Sequence, residues 1–277
     1  MKLVPEELGQ SGQELAALLK ELRLAAGLTG DRLAKRCNLS QSTISRYETG
    51  SARPSLVAVE QILWAVEAPP SIVAQVTALA RLANTEWRNV RDLRRKGLGS
   101  RQAELKALEV SSGHMRYFLL SMLTGLLATP EYVRASLAHS PADTSKAVAG
   151  KLERQQILYD TGKQFTFILT EQAIRFPLTP PPAMAVQLDR LASLTYLPNV
   201  HIGVIATGTA LPSLPLNTFT IYDNHMATVE LSTGSVVFRD PRDVQSYLDQ
   251  FEGYERVALF ENDAREFLAT WAHAFRS

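Results

Sequence analysis

Within the run LSQSTISRYETG, residues 39–50, Gln41 and Arg46 are the side chains best able to tell one base from another. A glutamine amide pairs bidentately with adenine and a guanidinium with guanine, while Ser42, Thr43 and Ser45 can donate to base edges or phosphate. Hydroxyl-rich runs often mark loops, but Ile44 and Tyr47 fall at helical spacing and would bury one side of a helix. Ser40 is then its N-cap and Gly50 its end. The helix N-terminus adds backbone N–H groups that suit phosphate. A solvated polar face is the alternative reading of the same residues.

Holding such a face in place requires other helices. Leu15, Leu18, Leu19 and Leu22 lie on one side of a first helix that ends at Gly27. Thr29 can cap a second, with Leu33 and Ala34 facing inward, and Asn38 tolerates the left-handed turn a helix exit needs. Ser55 caps a fourth carrying Val59, Ile62, Leu63 and Val66. A fifth carries Ile72, Val76, Leu79 and Leu82. The second helix, the short turn at Asn38-Leu39-Ser40 and the third have helix-turn-helix dimensions.

Beyond residue 83 the signals change. EWRNVRDLRRKGLGSRQ is rich in arginine, broken by Gly97 and Gly99, and reads as a basic bridging segment. Arg88, Arg91, Arg94, Arg95, Lys96 and Arg101 are either solvated or a second DNA contact. Helical signal resumes from Gln102 to about Leu137, with a restart at Pro130. The apolar run Tyr117–Ala128 reads as a core helix, too short for a membrane span. Val148 to Tyr159 is a further helix. Period-two alternation then marks strands at Phe165–Thr170, 200–206, 217–223, 226–232 and 235–240, with turns at Asp223-Asn224 and Thr233-Gly234. A helix from Ala183 to Leu197 interrupts them, and helices from Pro241 to Phe260 and Glu261 to Phe275 follow.

The chemistry of the whole chain excludes several classes. One cysteine, Cys37, rules out an internal disulfide framework and fits a reducing cytoplasm. The five histidines are scattered without metal-ligand spacing. No glycine-rich phosphate loop follows a strand. Glu171 and Glu230, on or beside strands, are an acid/base pair only if they converge; pairing with a cation such as Arg154 or Arg175 is the simpler expectation. The N-terminal residues lack the apolar stretch of a signal peptide. Residues 1–100 hold 14 Lys+Arg against 10 Asp+Glu, and residues 101–277 hold 15 against 18, a division that suits a nucleic-acid module joined to something else.

GLTGDRLAKRCNLSQSTISRYETGSARPS, and with it roughly residues 12–70, resembles the Xre-type, lambda-repressor-like helix-turn-helix family. By that resemblance Gln41, Ser42, Thr43, Ser45 and Arg46 face the major groove, Arg53 meets backbone or a flanking groove, and Ser40 belongs to the same DNA-binding set. Family members usually carry a glutamine after the threonine that opens the second helix. Gly30 stands there instead, which leaves the phosphate contact to Thr29 or to backbone N–H groups. LEVSSGHMRYFLLSMLTGLLATPEYVRASL, then ERQQIL, FTFILTEQAIR, AVQLDRLASL and LPNVHIGVI, about residues 105–270, resemble a domain of unknown function that follows this helix-turn-helix in actinomycete regulators. Those include developmental regulators and an antitoxin-like group often encoded beside a small partner protein. The usual PGLLQTPEY is LTGLLATPEY here, without its proline and glutamine.

The expectation is a multidomain chain: residues 1–83 an all-α five-helix DNA-binding domain, 84–104 a basic linker, and 105–277 a larger α+β domain for sensing, dimerisation or partner binding. The implied function is transcription regulation by a cytoplasmic, nucleoid-associated homodimer on a double-stranded DNA operator. The alternative is an antitoxin-like component that neutralises a small protein from a neighbouring gene while controlling its own operon. An enzyme tethered to DNA stands behind both. No cofactor, metal or membrane partner is expected.

Overall fold

The structure, a computed structural model, describes residues 11–89, 98–140, 144–231 and 234–277. The chain forms two compact units, Met1–Trp87 with Val236–Asp243, and Arg88–Ser235 with Val244–Ser277.

The first unit contains the five expected helices: α1 (Ser11–Ala25), α2 (Gly30–Arg36), α3 (Gln41–Glu48), α4 (Leu56–Ala65) and α5 (Pro70–Asn84). Their starts are chemically specified. Thr29, Ser40 and Ser55 accept hydrogen bonds from the backbone N–H groups of Arg32, Thr43 and Ala58, which the helices themselves leave unpaired. Asn38 takes a positive φ of 52° at the exit of α2, where a short polar side chain pays little steric penalty. Leu15, Leu19, Leu33, Ile44, Val59, Ile62 and Val76 meet in one core. Strand β1 (Thr85–Asn89) continues directly from α5 and lies beside β7 (Gly234–Phe238). The basic segment expected over 84–104 thus begins as a strand. Arg91, Arg94, Arg95 and Lys96 lie outside the described residues, as do the side chains of Arg88 and Arg101.

The second unit contains α6 (Leu98–Ser111), β2 (His114–Leu119), α7 (Pro130–Ser136), α8 (Ser145–Arg154) with a 3-10 turn at Gln155–Tyr159, β3 (Gln164–Thr170), α9 (Glu171–Arg175), α10 (Pro181–Leu194), β4 (Val200–Ile205), β5 (Phe219–Tyr222), β6 (Met226–Leu231), most of α11 (Pro241–Glu255), and α12 (Glu261–Arg276). Its strands run in the order β6-β5-β2-β3-β4. β2, β3 and β4 are parallel, with Tyr117 opposite Phe167 and Phe167 opposite Ile202. β5 joins β2, and β6 joins β5, antiparallel.

Tyr117–Ala128 is not a core helix, and the helical reading from Gln102 to Leu137 breaks after Ser111. His114–Leu119 is the central strand β2, and a helix restarts only at Pro130. A strand covered on both faces loses its alternation and becomes a short apolar run, which periodicity cannot separate from buried helix. Both faces of β2 are covered. Phe118 stacks on Tyr254 of α11 at 4.4 Å on one side, and on the other Tyr117, lying beside its strand neighbour Phe167, is only 4% exposed. Gly203 of β4 permits a further close approach, because a Cβ there would sit 2.5 Å from the Phe260 ring. Asp223, at φ 52°, makes the expected turn between β5 and β6, whereas Thr233 of the second expected turn lies outside the described residues.

The Tyr117 side of the sheet also carries a buried ion pair. Arg154 is 7% exposed and Glu109 is 1% exposed. The guanidinium meets both carboxylate oxygens, donating from Nε at 2.9 Å and from the second nitrogen at shorter range, and its third nitrogen donates to Gln102 Oε1 at 2.6 Å. Removing one partner strands a charge in a medium that cannot solvate it, at a cost of about 3–5 kcal/mol. Arg154→Met is expected to lower unfolding stability in urea by that amount. The Arg154→Met/Glu109→Leu double variant recovers most of the loss.

Candidate nucleic-acid interface

The α2–α3 pair is assembled from short-range chemistry. α2 buries Leu33 and Ala34, and after the Asn38 turn the Leu39 N–H donates to the Ala34 carbonyl at 2.9 Å, closing the helix end. Ser40 then opens α3. Its hydroxyl accepts from the Thr43 N–H at 3.1 Å and lies 2.8 Å from Ser42 Oγ and 2.7 Å from Thr43 Oγ1. At the other end Thr49 Oγ1 donates to the Ser45 carbonyl at 2.9 Å. The hydroxyls of 39–50 therefore serve mostly to shape both ends of α3, and only then to offer contacts.

Two anchors fix the orientation of α3. Ile44 is 1% exposed beneath it. Glu48, in its last turn, accepts two bonds from Arg23 of α1, at 2.6 and 2.8 Å, while the third Arg23 nitrogen donates to the Leu28 carbonyl. The hydrogen bond to Glu48 raises the Arg23 pKa, so the guanidinium stays charged at any ordinary pH.

The residues singled out from sequence fall on the surface opposite these anchors. Ser40, Gln41, Ser42, Ser45 and Arg46 are exposed and Thr43 is half-buried; Thr29 and Arg53 are also exposed. Gly30 has a positional meaning. A Cβ there would lie 3.7 Å from Gln41 Nε2, so the Gln41 amide rests against the start of α2 where family members place a side chain.

Four further residues carry no sequence signal of their own. Glu48 and Arg23 are 25 residues apart. Asp240, 4% exposed, comes from the segment Val236–Asp243; its carboxylate accepts from the Leu56 N–H at 2.9 Å, adding a cap to α4 beside Ser55. The same segment places Arg239 beside Arg53, Ser55, Asn84 and Pro241 around a cavity of about 500 Å³, so two guanidinium groups border it. Distances through space, not along the chain, make these connections.

The residues of the second unit that invited a catalytic reading are engaged otherwise. Burial of Glu171 would raise its pKa, but the Thr207 N–H at 2.7 Å and Arg175 at 3.1 Å hold the carboxyl below its ordinary range. Arg154 pairs with Glu109 rather than with Glu171 or Glu230. Burial, with Arg116 nearby, brings His114 down to about 4, so the ring is neutral at pH 7 and shares a hydrogen bond with Thr166. Among the described residues no group of three or more His, Cys, Asp or Glu could hold a metal ion, and no helix is long and apolar enough to cross a membrane.

Residues 14–84 match the profile of a helix-turn-helix domain, and residues 102–270 match that of a domain of unknown function, DUF5753. No curated protein matches the chain. Among solved structures, a phospholipase D family member, Nuc from Salmonella typhimurium, is 10% identical over 58% of this chain and 90% of its own, with a TM-score of 0.35. TrmBL2, an archaeal chromatin protein whose structure is described as showing a novel mode of DNA binding, is 11% identical over 73% of this chain and 64% of its own, with a TM-score of 0.33. Likenesses of that size carry no argument about this chain.

The cap supplied by Asp240 gives a stability test of the first unit. A lost helix cap costs about 0.5–2 kcal/mol. Asp240→Ala is expected to destabilise by that amount in thermal unfolding, although Asp240 stands 184 residues from its partner Leu56.

Proposed function

The chain belongs to the DUF5753 family and carries a helix-turn-helix domain ahead of that domain, and on that premise we propose that it is a sequence-specific DNA-binding transcriptional regulator. α3 lies in the major groove, with Gln41 and Arg46 reading bases and Ser42, Thr43 and Ser45 bringing the helix close. Thr29, Ser40 and Arg53 meet phosphate, and Arg239, which borders the same cavity as Arg53, joins that contact. Residues 1–83 form the DNA-binding domain, 84–104 the connection, and 105–277 the part that dimerises and answers an effector.

The observation that carries this reading is the division of labour on α3. Its apolar and acidic side chains, Ile44 and Glu48, are engaged within the unit, while the side chains capable of base recognition are exposed together. Short serine and threonine side chains leave the helix backbone free to approach DNA. One such domain offers a small interface, so two copies on a two-fold site are proposed, with half-site centres about 34 Å apart or a multiple of it.

Arg46→Ala is expected to weaken binding to the preferred duplex by about 1–3 kcal/mol and to leave binding to random duplex nearly unchanged. Arg53→Ala and Arg239→Ala weaken both alike and lower the salt dependence by about one counterion each. Titration of labelled duplexes at several salt concentrations checks this. Equal loss on specific and random DNA for Arg46→Ala removes the base-reading assignment.

A further inference from the structure

The second unit contains a cavity of about 570 Å³ on the Tyr117 side of its sheet, within the range of small-molecule sites. β2, β5 and β6 form its floor through Tyr117, Thr220 and Thr228, which the strand registers place on one face. α6 and α8 close it from above with Gln102, Leu105 and Arg154, and the loop after β2 supplies Leu123.

Three features make this more than a packing gap. The first is the buried Arg154–Glu109 pair beside it. Arg154 donates to Glu109 and Gln102 through three of its five N–H groups, which leaves two directed elsewhere. The second is the Tyr117 hydroxyl. It is buried and, among the described residues, has no hydrogen-bond partner. Burial keeps the phenol protonated well above neutral pH, and the Glu109 carboxylate lies close enough to reinforce this, although the two groups do not meet hydrogen-bond geometry. Buried polar atoms without partners are uncommon in folded proteins, and one beside a cavity suits a ligand atom. The third is the mouth, where Met122, Leu216 and Leu231 are 38%, 73% and 40% exposed. Apolar side chains gathered at an opening mark binding surfaces.

The charges around the cavity decide the ligand class. Lys151 and Arg154 are matched by Glu230 on the wall and Glu109 behind Arg154. An anion would meet two carboxylates and a cation two basic groups, so neither has an advantage. We propose that this cavity binds an uncharged amphipathic small molecule, its apolar body against the leucine wall and a carbonyl or hydroxyl oxygen accepting from Tyr117 and Arg154. The inference deepens the effector part of the proposed function by giving it a site and a ligand class. It stands or falls without any DNA.

Nile red is a suitable probe, being uncharged, aromatic and furnished with a carbonyl, and its emission rises in apolar surroundings. The full chain is expected to bind it saturably, one dye per chain, and to bind the anion 8-anilinonaphthalene-1-sulfonate at least about tenfold more weakly. Tyr117→Phe removes only the unpartnered hydroxyl; it is expected to weaken dye binding about tenfold without lowering the thermal midpoint. Thr228→Trp fills the cavity and abolishes binding. Trp64→Ala, which removes a 79% exposed side chain from the first unit, leaves binding unchanged. Dye binding that fails to saturate, that survives Tyr117→Phe at full strength, or that vanishes with Trp64→Ala overturns the site. Equal affinity for the anion overturns the ligand class. Loss of operator recognition with dye binding intact counts against the DNA-reading proposal alone.

Discussion

α3 is eight residues long, too short to hold a helix in water unaided, so the face it presents exists only through what it is fastened to. The principal fastening is the bidentate Arg23–Glu48 pair. A planar guanidinium meeting both oxygens of one carboxylate allows little rotation, and with the two side chains only 12% and 10% exposed, water competes weakly for them. A third bond to the Leu28 carbonyl ties the same guanidinium to the loop before α2. One arginine thereby relates α1, the entry to α2 and the end of α3. Ile44 supplies the depth of α3 in the core, and the clamp supplies its orientation.

The second unit solves a different problem. Its central strands are covered on both faces by helices and aromatic rings, so nearly every residue of β3 and β5 is buried. Polar groups in such a layer must be satisfied internally. Glu109, Arg154 and Gln102 satisfy one another, and Gln187 accepts from the Thr129 N–H while donating to the Leu127 carbonyl. The Tyr117 hydroxyl is one of four exceptions among the described residues, with Thr179 Oγ1, Asn199 Oδ1 and Ser213 Oγ, and it borders the cavity on that face.

What could be read in advance depended on the range of the interaction. Helix starts at Thr29, Ser40 and Ser55 and the exit at Asn38 are local effects of side chain on nearby backbone, and the first unit follows them closely. The exposed face of α3 was legible for the same reason, since helical spacing puts Ile44 inside and Gln41 and Arg46 outside. β2 was not legible, because burial on both faces erased its alternation. Neither was β1, whose residues sit in a stretch rich in charge. Asp240 and Arg239 were beyond reach altogether. Nothing local in Val236–Asp243 marks it as part of the same unit as α4, and the Leu56–Asp240 bond depends on the folded path of the whole chain.

Selection from a pool of random duplexes by the full chain measures directly whether α3 reads bases. Enrichment of a two-fold symmetric site is expected, with half-site centres about one helical turn apart or a multiple of it, and with a changed base preference within each half-site when Gln41 or Arg46 is replaced. No enrichment, or the same enriched site from the Gln41 and Arg46 variants as from the parent chain, would contradict base reading by α3.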